Sequence, residues 1–152
     1  MKIRTLKHIF VFLIGALLLL ACAKEEQAPV DPNGGGSAPT SFFTWTTDNG
    51  STVNANDFYF VTTFNNIVGK KTSNGSFIDI SLDNLSEGAY TISSSKGIIL
   101  EYNDGTKSYF AASGVVNITK NTGTKLSGNF NAYLSGSTVL SVSGNFEDIP
   151  AK

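Results

Sequence analysis

The segment LSGNFNAYL, residues 126–134, alternates small or apolar side chains with polar ones at every second position. The segments 110–119 and 140–147 on either side of it follow the same rule. A period of two is typical of a β-strand that turns one face to a core and the other to solvent. These segments therefore predict three consecutive antiparallel strands.

The short loops between these strands predict which residues lie opposite one another. Residues 121–123 end in Gly, which can adopt the positive φ that a three-residue hairpin loop needs at that point. This loop places Ile118 opposite Leu126. The same parity argument places Gly128 opposite Gly144 in the next hairpin.

Two Ser-Gly-Asn-Phe tetrapeptides, residues 127–130 and 143–146, repeat within these strands. A glycine on the core face indicates a bend or the close approach of another group. We interpret the two glycines as making room for Phe130 and Phe146; the alternative is a backbone surface that a ligand approaches.

Further alternating segments lie upstream, each bounded by Gly, Asn, Asp or Ser turns. A three-residue loop at residues 103–105 is favoured over a two-residue Asp-Gly turn, and it pairs Ile98 with Phe110. The chain therefore predicts an all-β fold, one antiparallel domain at residues 42–149, followed by a tail at 150–152. It has eight or nine hairpin-connected strands, closed as a sandwich or a flattened barrel. The side chains expected to fill its centre are Phe58, Phe60, Phe110, Phe130 and Phe146.

The N-terminal segment has a different composition. Three basic residues in the first seven precede twelve uncharged residues, 9–20. A bilayer core needs about 20 apolar helical residues to be crossed, so this segment predicts a cleaved export signal at residues 1–21.

Leu19, Ala21 and Cys22 resemble the lipobox of a bacterial lipoprotein signal peptide, although Leu20 is bulkier than usual. The resemblance implies cleavage before Cys22, acyl chains on that residue, and a membrane partner bound through them. The alternatives are a secretory signal with a chance cysteine, or an uncleaved anchor.

Lys24, Glu25 and Glu26 resemble the surface-export signal of Bacteroidota lipoproteins. The resemblance implies an outer-membrane protein on the cell surface; the alternative is an ordinary solvated stretch. Residues 22–41 are rich in Pro and Gly and predict a flexible tether after the lipidated cysteine.

The whole chain resembles a group of small, uncharacterised Bacteroidota outer-membrane lipoproteins with a domain of unknown function. The features that carry the likeness are the lipobox with its acidic signal, Val53-Asn54 before an aromatic strand, Gly88-Ala89-Tyr90, and the late Ser-Gly-x-Phe strands. The resemblance implies a β-rich fold and an envelope location, and it brings no site residues.

The residue inventory excludes several functions. The only histidine, His8, precedes Cys22, and no arginine follows Cys22. Catalysis by Ser-His-Asp or Cys-His and the usual zinc sites therefore lack their residues. From Cys22 onward eight lysines face twelve acids, a net charge of −4 (8 − 12), which does not favour nucleic acid. We expect no cofactor, no metal and no enzymatic activity.

Three hypotheses remain. The first is a non-catalytic binding or interaction module for a glycan or an envelope protein, with Trp45, Tyr59, Tyr109 and Tyr133 as an aromatic platform; ordinary cross-strand packing is the alternative for these rings. The second is a lipocalin-like carrier of a small apolar ligand. The third is a glycoside hydrolase that uses two carboxylates chosen from Asp57, Asp79, Glu101 and Glu147.

Overall fold

A computed structural model describes residues 40–48, 50–136 and 141–152. Ten strands and one short 3₁₀ helix, Ser94–Lys96, make up this part of the chain. The strands are β1 (Phe42–Thr47), β2 (Val53–Asn54), β3 (Asp57–Val61), β4 (Asn66–Lys71), β5 (Ser76–Ser81), β6 (Gly88–Ile92), β7 (Ile99–Asn103), β8 (Ser108–Asn121), β9 (Lys125–Leu134) and β10 (Ser141–Pro150). The predicted signal peptide, Cys22, the export signal and the tether up to residue 39 lie outside the described residues, as does Leu140.

All strand-to-strand pairs within the sheet are antiparallel, which confirms the predicted all-β fold. Nine strands follow one another in the order β2-β1-β10-β9-β8-β7-β5-β4-β3, and β6 pairs with β8 beside β7. The sheet curls, so that Phe60 of β3 forms a bridge with Ala151 just after β10. The N–H of Lys152 donates to the Phe60 carbonyl at 2.9 Å and extends this contact.

The concave side of the curled sheet holds a continuous apolar core. Its fully buried large side chains come from strands all around the sheet. They are Trp45, Phe43, Phe60, Phe146, Ile67, Ile78, Ile80, Leu100, Leu126, Ile149, Val116 and Val142.

The two Ser-Gly-Asn-Phe repeats pair with each other in a register that differs from the prediction. Gly128 lies opposite Phe146, and Phe130 lies opposite Gly144, so the two glycines do not face each other. An added Cβ at Gly128 would lie 2.5 Å from the tip of the Phe146 ring, and one at Gly144 would collide with Phe130. The interpretation that the glycines make room for the two rings is therefore confirmed, with each glycine serving the ring of the other repeat.

The pairing of β8 with β9 is also displaced by two residues, because the loop shifts the predicted pairing by three residues and a bulge takes back one. Ile118 pairs with Gly128 and Asn121 with Leu126, because the register shifts between Ile118 and Lys120. The extra residue restores the parity, so Ile118 and Leu126 both remain buried.

Phe110 is 54 % exposed, so its predicted place in the core is wrong. The β7–β8 connection contains four residues, 104–107, and not three. The side chain of Asp104 stabilises this longer loop. The Asp104 carboxylate accepts hydrogen bonds from the N–H groups of Thr106 and Lys107 at 2.8 and 2.9 Å. Together with the Thr106 hydroxyl, which is the main cause, these donors lower the pKa of Asp104 to about 2. The even loop pairs Glu101 with Phe110 and turns the ring outward.

Strand β4 was not predicted. Asn65, at a φ of 51°, closes a turn after β3 and starts β4 one residue later. Phe64 therefore lies in this turn and is 73 % exposed, whereas Phe60 is fully buried.

Asp148 produces a second irregularity, in β10. Its φ of 47° coincides with a register shift between Phe146 and Ile149. The carboxylate is nearly buried and contacts Lys120 and Lys125 at 2.9 and 3.2 Å. The hydrogen bond from Lys120 is the main cause of a lowered pKa of Asp148. This ion-paired bulge lets the end of β10 leave β1 and reach β3.

Gly69 offers a direct test of the packing between opposite walls of the sheet. A Cβ at this position in β4 would lie 2.5–2.7 Å from the Phe43 ring of β1, and its nearest neighbours are atoms of that ring alone. We expect Gly69→Ala to lower the free energy of unfolding by about 1–3 kcal/mol through overpacking.

The same substitution in a Phe43→Leu background should cost at least about 1 kcal/mol less, because the colliding ring is gone. Urea denaturation of the four proteins of this cycle measures the difference. Equal costs in both backgrounds would show that Phe43 is not the group that Gly69 accommodates.

Candidate functional site

The outward face of β2, β1, β10, β9 and β8 carries three parallel rows of uncharged side chains, each running across the strands. We call these rows together the uncharged face. Its existence follows from alternation, since Phe43, Trp45, Phe130 and Phe146 point inward and their neighbours in sequence point outward.

The first row, the amide row, consists of Asn54, Thr44, Asn145, Asn129 and Asn117. Each member lies directly opposite the next in the strand register. The Asn117 side-chain amide donates to Oδ1 of Asn129 at 2.9 Å, which fixes the orientation of both amides. The row thus presents carbonyl oxygens and N–H groups at regular intervals.

The second row, the middle row, consists of Thr52, Thr46, Ser143, Asn131 and Val115. The hydroxyls of Thr46 and Thr52 lie 2.9 Å apart and share a hydrogen bond. Ser143 pairs with both Thr46 and Asn131, and Val115 pairs with Asn131. Four of the five side chains are short.

A shallow concavity of about 360 Å³ lies over the amide and middle rows where β1, β10 and β9 adjoin. Its lining includes Ser143, Gly144, Asn129, Asn131 and Asn145. None of its described lining residues is charged. This concavity can therefore offer hydrogen bonds but no ionic contact.

The third row, the tyrosine row, consists of Ser141, Tyr133 and Ser113. Tyr133 is 60 % exposed and lies two residues beyond Asn131 on the same face of β9. It gives the uncharged face a large, accessible aromatic ring beside amides and hydroxyls.

The predicted platform of four aromatic residues is wrong as a single surface. Trp45 is 1 % exposed and packs edge-on against Phe43 with ring centroids 6.1 Å apart, so it belongs to the core. Tyr109 is partly buried and stacks on Tyr102 at 6.3 Å. Only Tyr133 of the four lies on the uncharged face.

Tyr59 lies on the outward face of β3, several strands away from Tyr133 in the sheet order. The ammonium of Lys152 sits 4.1 Å from the centroid of its ring, and that of Lys70 sits 5.9 Å away. A second concavity of about 360 Å³ adjoins this ring and also contains Lys70, Phe77 and Asp79. In contrast to the uncharged face, this region is charged.

Two of the four acids considered for hydrolysis are neighbours. Asp79 of β5 lies directly opposite Glu101 of β7. Burial is the main cause of a raised pKa of Asp79, and the Glu101 charge adds to it, while a 2.9 Å hydrogen bond from Asn66 opposes it. Directly opposed residues have Cβ atoms about 4.5–5.5 Å apart, so the pair is close enough to share a proton or a hydrogen bond.

The other two acids have separate surroundings. Asp57 lies opposite Lys70, and Glu147 accepts a hydrogen bond from the Ser127 hydroxyl at 3.0 Å.

In the described part of the chain, no three His, Cys, Asp or Glu side chains are grouped so that they could hold a metal ion. No helix among these residues is long and apolar enough to cross a bilayer.

No protein-family model, curated protein or solved structure matches the chain. The chemistry of the site therefore has to be argued from its residues. The uncharged face can accept and donate many neutral hydrogen bonds and can stack one aromatic ring against a ligand.

The amide row was not predicted, although its members occupy the polar positions of the alternation. The signal that could have found it is the Asn in each Ser-Gly-Asn-Phe repeat, since the repeats pair and so bring Asn129 and Asn145 together. Asn54 and Asn117 join them only through the order of strands in the sheet.

Trp45→Ala distinguishes a core residue from a surface platform. We expect it to lower the free energy of unfolding by about 3–5 kcal/mol, because it empties a large volume in the core. Tyr133→Ala should change stability by less than about 0.5 kcal/mol, since its ring is largely in solvent. Chemical denaturation of both variants checks this contrast, and similar stability of the two would contradict the assignment.

Proposed function

We propose that this protein is a lipid-anchored envelope protein and a non-catalytic binding module whose ligand is a neutral glycan. The observation that carries the proposal is the uncharged face, three rows of amide and hydroxyl side chains with the exposed ring of Tyr133. The described residues include seven lysines and nine Asp or Glu outside the three rows, so the absence of charge on this face is a property of the site.

The chemistry of the face matches a sugar better than it matches other ligands. Amides and hydroxyls both donate and accept, as the hydroxyl groups of a sugar do. A protein or peptide partner would be expected to meet an apolar interface core with several aromatic and Arg anchors, surrounded by a polar rim. The uncharged face offers one aromatic ring and no cation.

The anchor rests on the resemblance of residues 19–22 to a lipobox and of Lys24, Glu25 and Glu26 to a surface-export signal. Two or more acyl chains on Cys22 would hold the protein stably at a bilayer, whereas one chain gives reversible binding. Display on the outer membrane would put the uncharged face in contact with extracellular polysaccharide.

The two alternatives receive less support. A carrier needs an interior cavity, but the space opposite Gly128, Gly144 and Gly69 is filled by phenylalanine rings. For a hydrolase, Asp79 and Glu101 are the neighbouring acids, and they lie outside the three rows. Glu101→Gln should therefore leave glycan binding unchanged.

Tyr133→Ala is the test of the binding site. We expect affinity for a neutral glycan to fall by up to about tenfold, because one aromatic contact is worth roughly 0.5–1.5 kcal/mol. Isothermal titration calorimetry against neutral oligosaccharides that bind the wild-type protein measures the change.

Phe64→Ala is the matched control, since Phe64 is also a largely exposed aromatic residue and lies in a turn outside the three rows. If Tyr133→Ala is folded by circular dichroism and binds the glycan with unchanged affinity, the assignment of this site is wrong. A loss of affinity that is equal in both variants would point to a nonspecific effect.

Cys22→Ser tests the anchor. We expect the wild-type protein to incorporate a fatty-acid label and to fractionate with membranes, and the variant to do neither, because the acylated sulfur is lost. Mass spectrometry of the wild-type N-terminus provides the direct check. An unmodified Cys22 on a protein that is free in the soluble fraction would remove the lipoprotein part of the proposal.

A further inference from the structure

We infer that the glycan is a linear polymer, bound along its internal units and lying across the strands over the middle row. This inference rests on the proposed function and specifies the ligand class that the uncharged face takes. It follows from the shape and the direction of the three rows.

The uncharged face is longest in the direction across the strands. Between Thr46 on β1 and Val115 on β8 the middle row crosses four strands, and Thr91 on β6 continues it opposite Val115. With strands about 4.8 Å apart, this row of five strands spans about 19 Å. Along a strand, the distance from Asn129 to Tyr133 is only about 13 Å, at about 3.3 Å per residue.

Charged residues limit the face along the strands, and across the strands they limit only the tyrosine row, where the N–H of Asp48 donates to the Ser141 carbonyl. On β10 the next outward residue beyond Asn145 is Glu147, and on β8 Lys120 pairs with Ser127 beyond the amide row. Across the strands, the amide row ends at Ala89 and the middle row at Thr91, both exposed residues of β6. A chain can therefore continue past β6 without meeting a charged or bulky side chain in these rows.

We call the path over the middle row the trough. Thr46, Ser143 and Val115 are short along this path, whereas Asn131 is as long as the amides of the first row, and the ring of Tyr133 stands beside the path in the third row. Neighbouring rows are about 6.7 Å apart along each strand, so a sugar over the middle row lies within reach of both flanking rows.

The shallow form of the trough favours an internal segment over a chain end. Sites that capture small ligands are concave pockets that enclose most of the ligand surface. The concavity here lies on the outside of a sheet, and its lining includes Ser143 and Gly144. Neutral hydrogen bonds contribute little individually, so affinity has to accumulate over several sugar units.

A length series tests the inference. The probes are cello-, laminari-, xylo- and manno-oligosaccharides of two to six units, each also in a form reduced at its end, titrated by calorimetry. For the series that binds, we expect the affinity to rise with every unit up to about four, the number that a trough of about 19 Å holds at one unit per strand spacing. We expect reduction of the end to leave the affinity unchanged.

A variant that blocks one end of the trough sharpens the test. Thr91→Arg should reduce the affinity of the six-unit probe toward that of a shorter one and leave the two-unit probe unaffected. Thr119→Arg is the matched control, because it adds the same side chain to an exposed position outside the three rows.

The failures of the two proposals are distinguishable. Binding that is equally strong for two and six units, or that is lost on reduction, would overturn the linear, internal mode while the binding function stands. An absence of binding to every neutral probe at millimolar concentration would overturn both. Length-dependent binding that Thr91→Arg and Thr119→Arg weaken equally would place the polymer elsewhere.

Discussion

The architecture depends on phenylalanine rings that occupy spaces left by glycines. Phe43 reaches from β1 onto Gly69 of β4, and each of the two paired repeats inserts a ring over the glycine of the other. Phe43 stacks on Phe146 with centroids 5.7 Å apart and lies 6.0 Å from Phe130, so one aromatic cluster joins these contacts. Because the interiors of proteins are packed as densely as crystals, these fits fix how closely the sheet can curl.

The uncharged face is the outer counterpart of this packing. In the register in which β10 pairs with β9, each ring meets a glycine, and the same register puts Asn145 opposite Asn129. Since alternate residues point to opposite faces, the inner requirement determines which polar groups become neighbours outside. The strand register alone therefore aligns the side chains of each row, and no contact between these side chains is needed to align them.

Two sets of charged contacts shape connections between strands. Asp104 organises the β7–β8 loop, and Asp148 with Lys120 and Lys125 holds the bulge that directs the end of β10 toward β3. The uncharged face is compatible with this arrangement. A ligand that is held by neutral hydrogen bonds is selected by the positions of the donors and acceptors more than by the electrostatic potential of the site. The proposed glycan would be recognised by the spacing of the rows.

The sequence by itself determined the all-β class and the inward place of Phe60, Phe130 and Phe146, because alternation is a local property of the chain. It also carried the features behind the lipoprotein proposal, which residues 40–152 do not test. Tertiary structure decided the rest. Bulges and loop lengths placed Phe110 on the opposite side of the sheet from the one expected. Trp45 is buried in the core and is not part of the predicted platform. The order of the strands alone aligned Asn54 with Asn117. One inserted residue moves every later side chain of the strand to the other face of the sheet. The sequence pattern does not reveal where a strand accommodates such a residue in a bulge.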